Sequence, residues 1–284
     1  MTRILALIDG SSYAGSVCDH VVWIAGRTAV SIDLLHVIGR RDLSSEPVDL
    51  SGNIGLGART ALLQELADLD AQKAKVAQKR GRLLLDDAKT RLEAAGVQQV
   101  ETRLRNGDLL ETVQDLQPQA DMIVIGKRGE GSDFAREHLG SNLERVVRST
   151  QMPVVIVSRA FKPIQRVMIA FDGEPTAFAA VERVSRSEIL RGVELKLLMV
   201  GESTDANQNK LTAAASTLKA AGIESAVALL PGEAETVIPQ VLEREGHDLL
   251  VMGAYRHSRL RSLFLGSTTR EVIQTCRVPV VVFR

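Results

Sequence analysis

The chain has 284 residues, which on the usual scale of ~100–200 residues per domain makes room for about two domains. Its 35 basic and 35 acidic side chains cancel, which argues against a general nucleic-acid or membrane-surface role and makes any anion site a local matter. Two cysteines, Cys18 and Cys276, with no Cys-x-x-Cys and no His/Cys cluster, speak against a disulfide scaffold or structural zinc.

No apolar stretch approaches the ~18 residues of a membrane span. Met1-Thr-Arg3 runs straight into a strand with no leader pattern. The expected location is cytoplasmic, with neither membrane nor nucleic acid as partner.

Residues 4–8 form an aliphatic run without alternation, the pattern of a parallel strand covered on both faces. Asp9 follows at its carboxyl end, where ligands bind in open α/β sheets. Two roles stay open for it: a contact to the sugar or adenine edge of a nucleotide, or a cap on the Gly10-Ser11-Ser12 turn. A helix is expected over 13–27 and a second strand over 32–37, ending at His36-Val37. Residues 40–57 are polar and glycine-rich and read as a loop. From 58 to 95, Leu62, Leu66, Leu69, Val76 and Leu83 recur at helical spacing, predicting one long helix or two joined near Gly81. The glycine run of residues 52–57 follows no strand and is a weak phosphate motif.

Strand three is expected over 96–104, the Asn106-Gly107-Asp108 turn leads into a helix over Leu109–Leu116, and strand four spans 121–125. Ser141 and Glu144 have the spacing of a capping box. Val154–Val157 is strand five, 159–163 a linker, and strands return at 166–171, Glu194–Val200, 224–230, 249–252 and Val280–Phe283, with helices between. That alternation yields parallel sheets with right-handed crossovers.

The second half repeats the first. Gly140 to Pro153 and Gly266 to Pro279 are both 13 positions apart; Asp9 to Leu34 and Asp172 to Leu197 are both 25. Leu35 pairs with Leu198 at an offset of 163 and Gly96 with Gly222 at an offset of 126, so the first half carries 37 extra residues between them. The expected division is 1–160 and 161–284, with a long helical insertion over about 39–95 in the first copy.

Strand-Asp-Gly at the start of each half, and Gly-x2-Gly-x9-Gly-Ser/Thr between the fourth and fifth strands, resemble the universal stress protein (UspA-like) family over nearly the whole chain. The first copy has Gly126 and Gly129 but ten residues before Gly140. The second keeps the spacing from Gly253 to Gly266 but places Arg256 where the second glycine belongs. The resemblance implies two tandem Rossmann-like domains of the adenine nucleotide alpha hydrolase type, each a five-stranded parallel sheet flanked by helices, with ATP or AMP held across the strand ends and Mg2+ as its companion ion. The sites it implies are Asp172, Met199, Val200, Gly253, Arg256, Gly266, Ser267 and Thr268 in the second copy, and Asp9, His36, Val37, Gly126, Gly129, Gly140, Ser141 and Asn142 in the first.

The loop chemistry favours the second copy. Arg256, Arg259 and Arg261 face no acid between Gly253 and Gly266, whereas Lys127, Arg128 and Arg136 are offset by Glu130, Asp133 and Glu137. Glu144 could also occupy the first helix start, while Ser267 stays free if Thr268 caps with Glu271. Arg256 cuts both ways: it could block the phosphate or clamp it. No Walker lysine motif, Gly-x-Ser-x-Gly elbow or His-Glu-x-x-His occurs, and no general base stands out, so no catalytic residue and no metal ligand is named. The expected role is nucleotide binding for stress response or regulation. The alternatives are an interaction module that has lost nucleotide binding, and a slow ATPase. The two proline-preceded strands Val154–Val157 and Val280–Phe283 would leave unpaired backbone on apolar edges, and the resemblance implies that they join the halves as a pseudo-dimer; the helix around 62–76 is a candidate homodimer contact.

Overall fold

The computed structural model describes residues 1–39, 56–130, 139–254 and 266–284. The first half runs β1 (Thr2–Leu7), α1 (Ala14–Ala25), β2 (Val30–Ile38), α2 (Leu56–Ala94), β3 (Val100–Asn106), α3 (Leu109–Leu116), β4 (Met122–Gly126), α4 (Ser141–Ser149) and β5 (Val154–Val157). The second runs β6 (Arg166–Ala170), α5 (Pro175–Ser185), β7 (Glu194–Val200), α6 (Asp205–Ala220), β8 (Ser225–Leu230), α7 (Ala234–Glu245), β9 (Leu249–Gly253), α8 (Ser267–Thr275) and β10 (Val280–Phe283).

Each half contributes five parallel strands, and all ten form one sheet in the order β3-β2-β1-β4-β5-β10-β9-β6-β7-β8. The halves join through β5 and β10, which pair antiparallel with Val155 opposite Val281. Left alone, each would expose unpaired backbone on an apolar edge; pairing satisfies both edges at once. Ile4, Leu5 and Ala6 are all buried, as a strand covered on both faces requires.

On one face of the sheet a single apolar core runs across the junction, with Val146 of α4 and Val272 of α8 both fully buried. On the other face α1 and α2 make one core and α5 and α6 another. Between them lies a slot of about 270 Å³ lined by Trp23, Val155, Val281 and Phe283, among others.

The long helix is continuous through Gly81, so the two-helix alternative is set aside. Its last part is the ordinary crossover helix of the fold. Leu85, Ala88 and Leu92 are buried and stand 126 positions before Leu211, Ala214 and Leu218 of α6, which are buried too. What is extra is the N-terminal part of α2, where none of residues 60–80 is buried. Residues 40–55, with most of the expected glycine-rich loop, lie outside the described residues. Strand three begins at Val100 rather than at Gly96, whose φ of +89° ends the preceding helix and which leads into a short connection.

Candidate functional site

The five strands of a half are parallel and β5 runs antiparallel to β10. The carboxyl ends of the two strand sets therefore lie at opposite rims of the sheet, and each rim has one switch point in the strand order, between β1 and β4 and between β6 and β9, the crevice at which open α/β sheets take ligands.

In the first crevice, Asp9 follows β1. Its carboxylate accepts from the Ser11 N–H at 3.0 Å and from the Glu130 N–H at 3.2 Å, tying the turn after β1 to the loop after β4. A Cβ on Gly129 would stand 3.1 Å from the Asp9 Oδ2, so glycine there permits this approach. Gly126 is equally tight, since a Cβ would meet that of Tyr13 at 2.7 Å. His36 donates from Nδ1 to the Ile8 carbonyl at 2.7 Å, a structural tie between β2 and the end of β1. Helix α2 then covers that place: a Cβ on Gly81 would be 2.8 Å from the His36 ring. Next to Gly81, Arg80 forms an ion pair with Glu130. A Cβ on Gly10 would meet the Arg80 guanidinium first and the Glu130 carboxylate next, at 2.7 Å, so this ion pair stands over the Asp9-Gly10 turn. Val37 is half-buried at the end of β2.

The second crevice repeats the turn with a different cover. Asp172 accepts from the Glu174 N–H at 2.9 Å, as Asp9 does from Ser11. Gly173 has φ +74°, which glycine adopts without strain. A Cβ there would lie 3.3 Å from the Lys210 Nζ and 3.2 Å from the Met199 terminal methyl. A cation from α6 thus stands over this turn as Arg80 does over the first, but its acid partner, Glu174, is 3.9 Å away. Met199 is buried and Val200 half-buried at the end of β7. Gly253 backs onto the start of α5, where a Cβ would be 3.0 Å from the Ala177 nitrogen.

The helix starts correct the capping expectations. Gly140 and Gly266 themselves are the N-caps of α4 and α8, with nearly equal conformations (φ −58°, ψ 130° and φ −53°, ψ 143°) and no side-chain cap. Ser141 and Thr268 are already helical, and a side chain inside the first turn cannot serve as the cap that the sequence spacing suggested. Glu144 instead accepts from Arg270 at 3.0 Å, joining α4 to α8. At each start the first-turn N–H groups, those of Ser141 and Asn142 in one and Ser267 and Thr268 in the other, have no intrahelical acceptor and sit at the positive end of the helix dipole. This is the geometry that holds phosphate oxygens.

Lys127 is a second correction. Counted by sequence among the cations of the first phosphate loop, it turns away and donates to the carbonyls of Gln274 and Cys276 at the end of α8, at 2.8 and 2.7 Å. Burial lowers its pKa to about 8. Arg256, Arg259 and Arg261, and Asp133, Arg136 and Glu137 of the first loop, lie outside the described residues. Burial pushes the Cys18 and Cys276 thiols up to about 11 and about 12, which makes both poor nucleophiles.

Sequence reasoning missed Lys210, the Arg80–Glu130 pair and the placement of Lys127. Only the last left a trace: after the strand-ending glycine the first half has Lys127 and the second has Ala254, a break in the repeat at a position that meets the other half.

The model of the universal stress protein family matches residues 1–158 and 201–284. Universal stress protein Slr1230 of Synechocystis sp. is 37% identical over 287 residues, covering 100% of both chains. The crystal structure of a universal stress protein from Archaeoglobus fulgidus superimposes with a TM-score of 0.75 over 99% of this chain and 98% of that one, at 22% identity. A shorter A. fulgidus universal stress protein, solved in complex with dAMP, aligns with 42% of this chain and 98% of its own at 21% identity and a TM-score of 0.35.

Proposed function

The chain belongs to the universal stress protein family, and from that premise we propose that it binds an adenine nucleotide, ATP or AMP, as a cytoplasmic regulatory protein of the stress response, with residues 161–284 holding the main site and residues 1–160 a degenerate one. In this reading the backbone at Met199 and Val200 meets adenine and Asp172 faces the sugar. The N–H groups of Ser267 and Thr268, beyond Gly253 and Gly266, take the phosphates, with Arg256 as a further candidate contact.

The observation that carries the preference is the pair of covers over the two Asp-Gly turns. Over the first, Arg80 and Glu130 form a close ion pair whose charges offset each other, whereas over the second the Lys210 ammonium stands 3.9 Å from Glu174, a looser pairing that leaves it able to meet a phosphate. Each charge-assisted contact to a phosphate contributes roughly 1.5–3 kcal/mol, and a neighbouring carboxylate opposes it. Among the described residues no group of three or more His, Cys, Asp or Glu could hold a metal, so Mg2+ would enter on the nucleotide's own oxygens. Among the same residues no helix is long and apolar enough to cross a membrane.

The test is equilibrium binding of ATP and AMP to the purified chain, together with its nucleotide content as isolated. We expect about one nucleotide per chain. No binding and no carried nucleotide would overturn this reading in favour of an interaction module.

A further inference from the structure

The N-terminal part of α2 projects a face that its own sheet does not use. Leu62, Leu66, Leu69, Val76 and Leu83 are spaced by four, three and seven residues, the spacing of a coiled-coil seam; Lys73 holds one intervening seam position, and Arg80, at the next, turns its guanidinium to Glu130 of its own domain. Leu69, Val76 and Leu83 are 45%, 67% and 60% exposed. At about 100° per residue this stripe lies on a different side of the helix from Gly81, Leu85, Ala88 and Leu92, which face the protein. It is therefore not the edge of the core.

Charge along the same stretch is polarised. Residues 60–72 carry Glu65, Asp68 and Asp70 and no cation; residues 73–82 carry Lys73, Lys75, Lys79, Arg80 and Arg82 and no acid. A parallel partner would set acid on acid and base on base. An antiparallel copy centred near Gln72 reverses this, bringing Leu62 opposite Leu83, Leu69 opposite Val76, and Asp70 opposite Lys75. A chain with this polarity is complementary to itself only head to tail, which a twofold axis across the helix supplies. Lys73, a cation inside the apolar seam near the axis, is the kind of residue that fixes register in such pairings.

We propose that α2 is a homodimerisation arm, pairing antiparallel with α2 of a second copy over residues 62–83, an overlap of about 30 Å at ~1.5 Å per residue. This contact is separate from the β5–β10 junction, which lies within one chain, and it does not rest on nucleotide binding.

Light scattering on the full chain should give about twice 30.8 kDa, and a monomer at tens of micromolar would overturn the proposal. Glu65→Lys, Asp68→Lys and Asp70→Lys together should halve the mass. Adding Lys73→Glu, Lys75→Glu, Lys79→Glu and Arg82→Glu, which swaps the two blocks apart from Arg80, held by Glu130, should restore it, separating lost complementarity from lost folding. A dimer that survives the first set, or is not restored by the second, would sink the pairing. Orientation is read from oxidation in otherwise unchanged protein, since Cys18 and Cys276 are both buried. Gln72→Cys should cross-link to its partner and Leu62→Cys should not, whereas cross-linking of Leu62→Cys would mean a parallel pair.

Discussion

The Lys127 ammonium donates to the Cys276 carbonyl at 2.7 Å and to that of Gln274 beside it, so a residue of the first half's β4 loop closes the end of α8 in the second. A cation at a helix C-terminus meets both unpaired carbonyls and the negative end of the dipole. Helix α8 is capped at its other end by Gly266, at the anion site proposed for the second half, so one end serves that half's own site and the other is closed by the first half.

Replacing Lys127 by Met removes both contacts while keeping the apolar stem, and should cost roughly 1–3 kcal/mol, read as a lower denaturant midpoint at unchanged slope. The same side chain sets a pH dependence. Burial holds its folded pKa at about 8, below the ordinary 10.5, so the unfolded chain binds more protons between those values. The Lys127 contribution is then complete above about 10.5 and is lost as pH falls through about 8. Wild-type stability relative to Lys127→Met should rise from about pH 7.5 to about pH 9.5. A flat difference would show that the cation is fully compensated by the helix end.

Gly266→Val places a branched side chain beside the open N–H groups of α8 and should weaken ATP binding at least tenfold, about 1.4 kcal/mol or more. Gly140→Val should leave most of the binding intact. Titration calorimetry of both variants decides the placement: the reverse order would move the site to the first half, and full binding by both would remove the helix starts from it.

If the Arg80–Glu130 pair is what closes the first crevice, Glu130→Gln should open it. The expected outcome is a second nucleotide bound per chain, seen as a change in stoichiometry with the original site's affinity unaltered. Unchanged stoichiometry would place the obstruction elsewhere, with α2 over His36 as the next candidate.

Glu245 receives Lys196 on both oxygens, at 2.7 and 2.6 Å, which with Arg244 and His247 lowers its pKa to about 2. Its contribution is present above the ordinary value near 4.5 and fades as pH falls toward 2. Glu245→Gln should therefore destabilise the protein at neutral pH, and the gap to wild type should narrow in acid. A gap that stays constant down to about pH 3 would show that packing, and not charge, holds this corner.

The strands could be read from sequence because a parallel strand buried on both faces is nearly all aliphatic, as in residues 4–8 and 249–252. That β5 and β10 need edge partners could be read from their apolar runs; that they partner each other came with the family resemblance. The caps could not. A Ser-x-x-Glu spacing fits Ser141 and Glu144 whether the helix begins at 141 or one residue earlier, and only the extended ψ of Gly140 decides it. The Arg80–Glu130 pair spans 50 positions and has no local signature. Lys210 escaped for a similar reason, since it faces Gly173 from another element at a distance of 37 residues. Contacts made by long side chains across loops depend on how the elements stack, which composition and spacing do not encode.

Fusing the two copies along β5 and β10 changes what evolution can do with them. Two separate chains meeting this way would part on dilution, whereas here reassociation is unimolecular and the pairing holds at any concentration. Symmetry is lifted as well. In a dimer of identical chains, every substitution lands on both rims at once, so a crevice cannot be given up without losing its twin. A tandem gene mutates one rim at a time. The close Arg80–Glu130 pair over one turn against the looser Lys210–Glu174 pair over the other, and Lys127 against Ala254, are differences that a dimer of identical chains cannot accumulate, leaving each rim free to change while its neighbour stays in service.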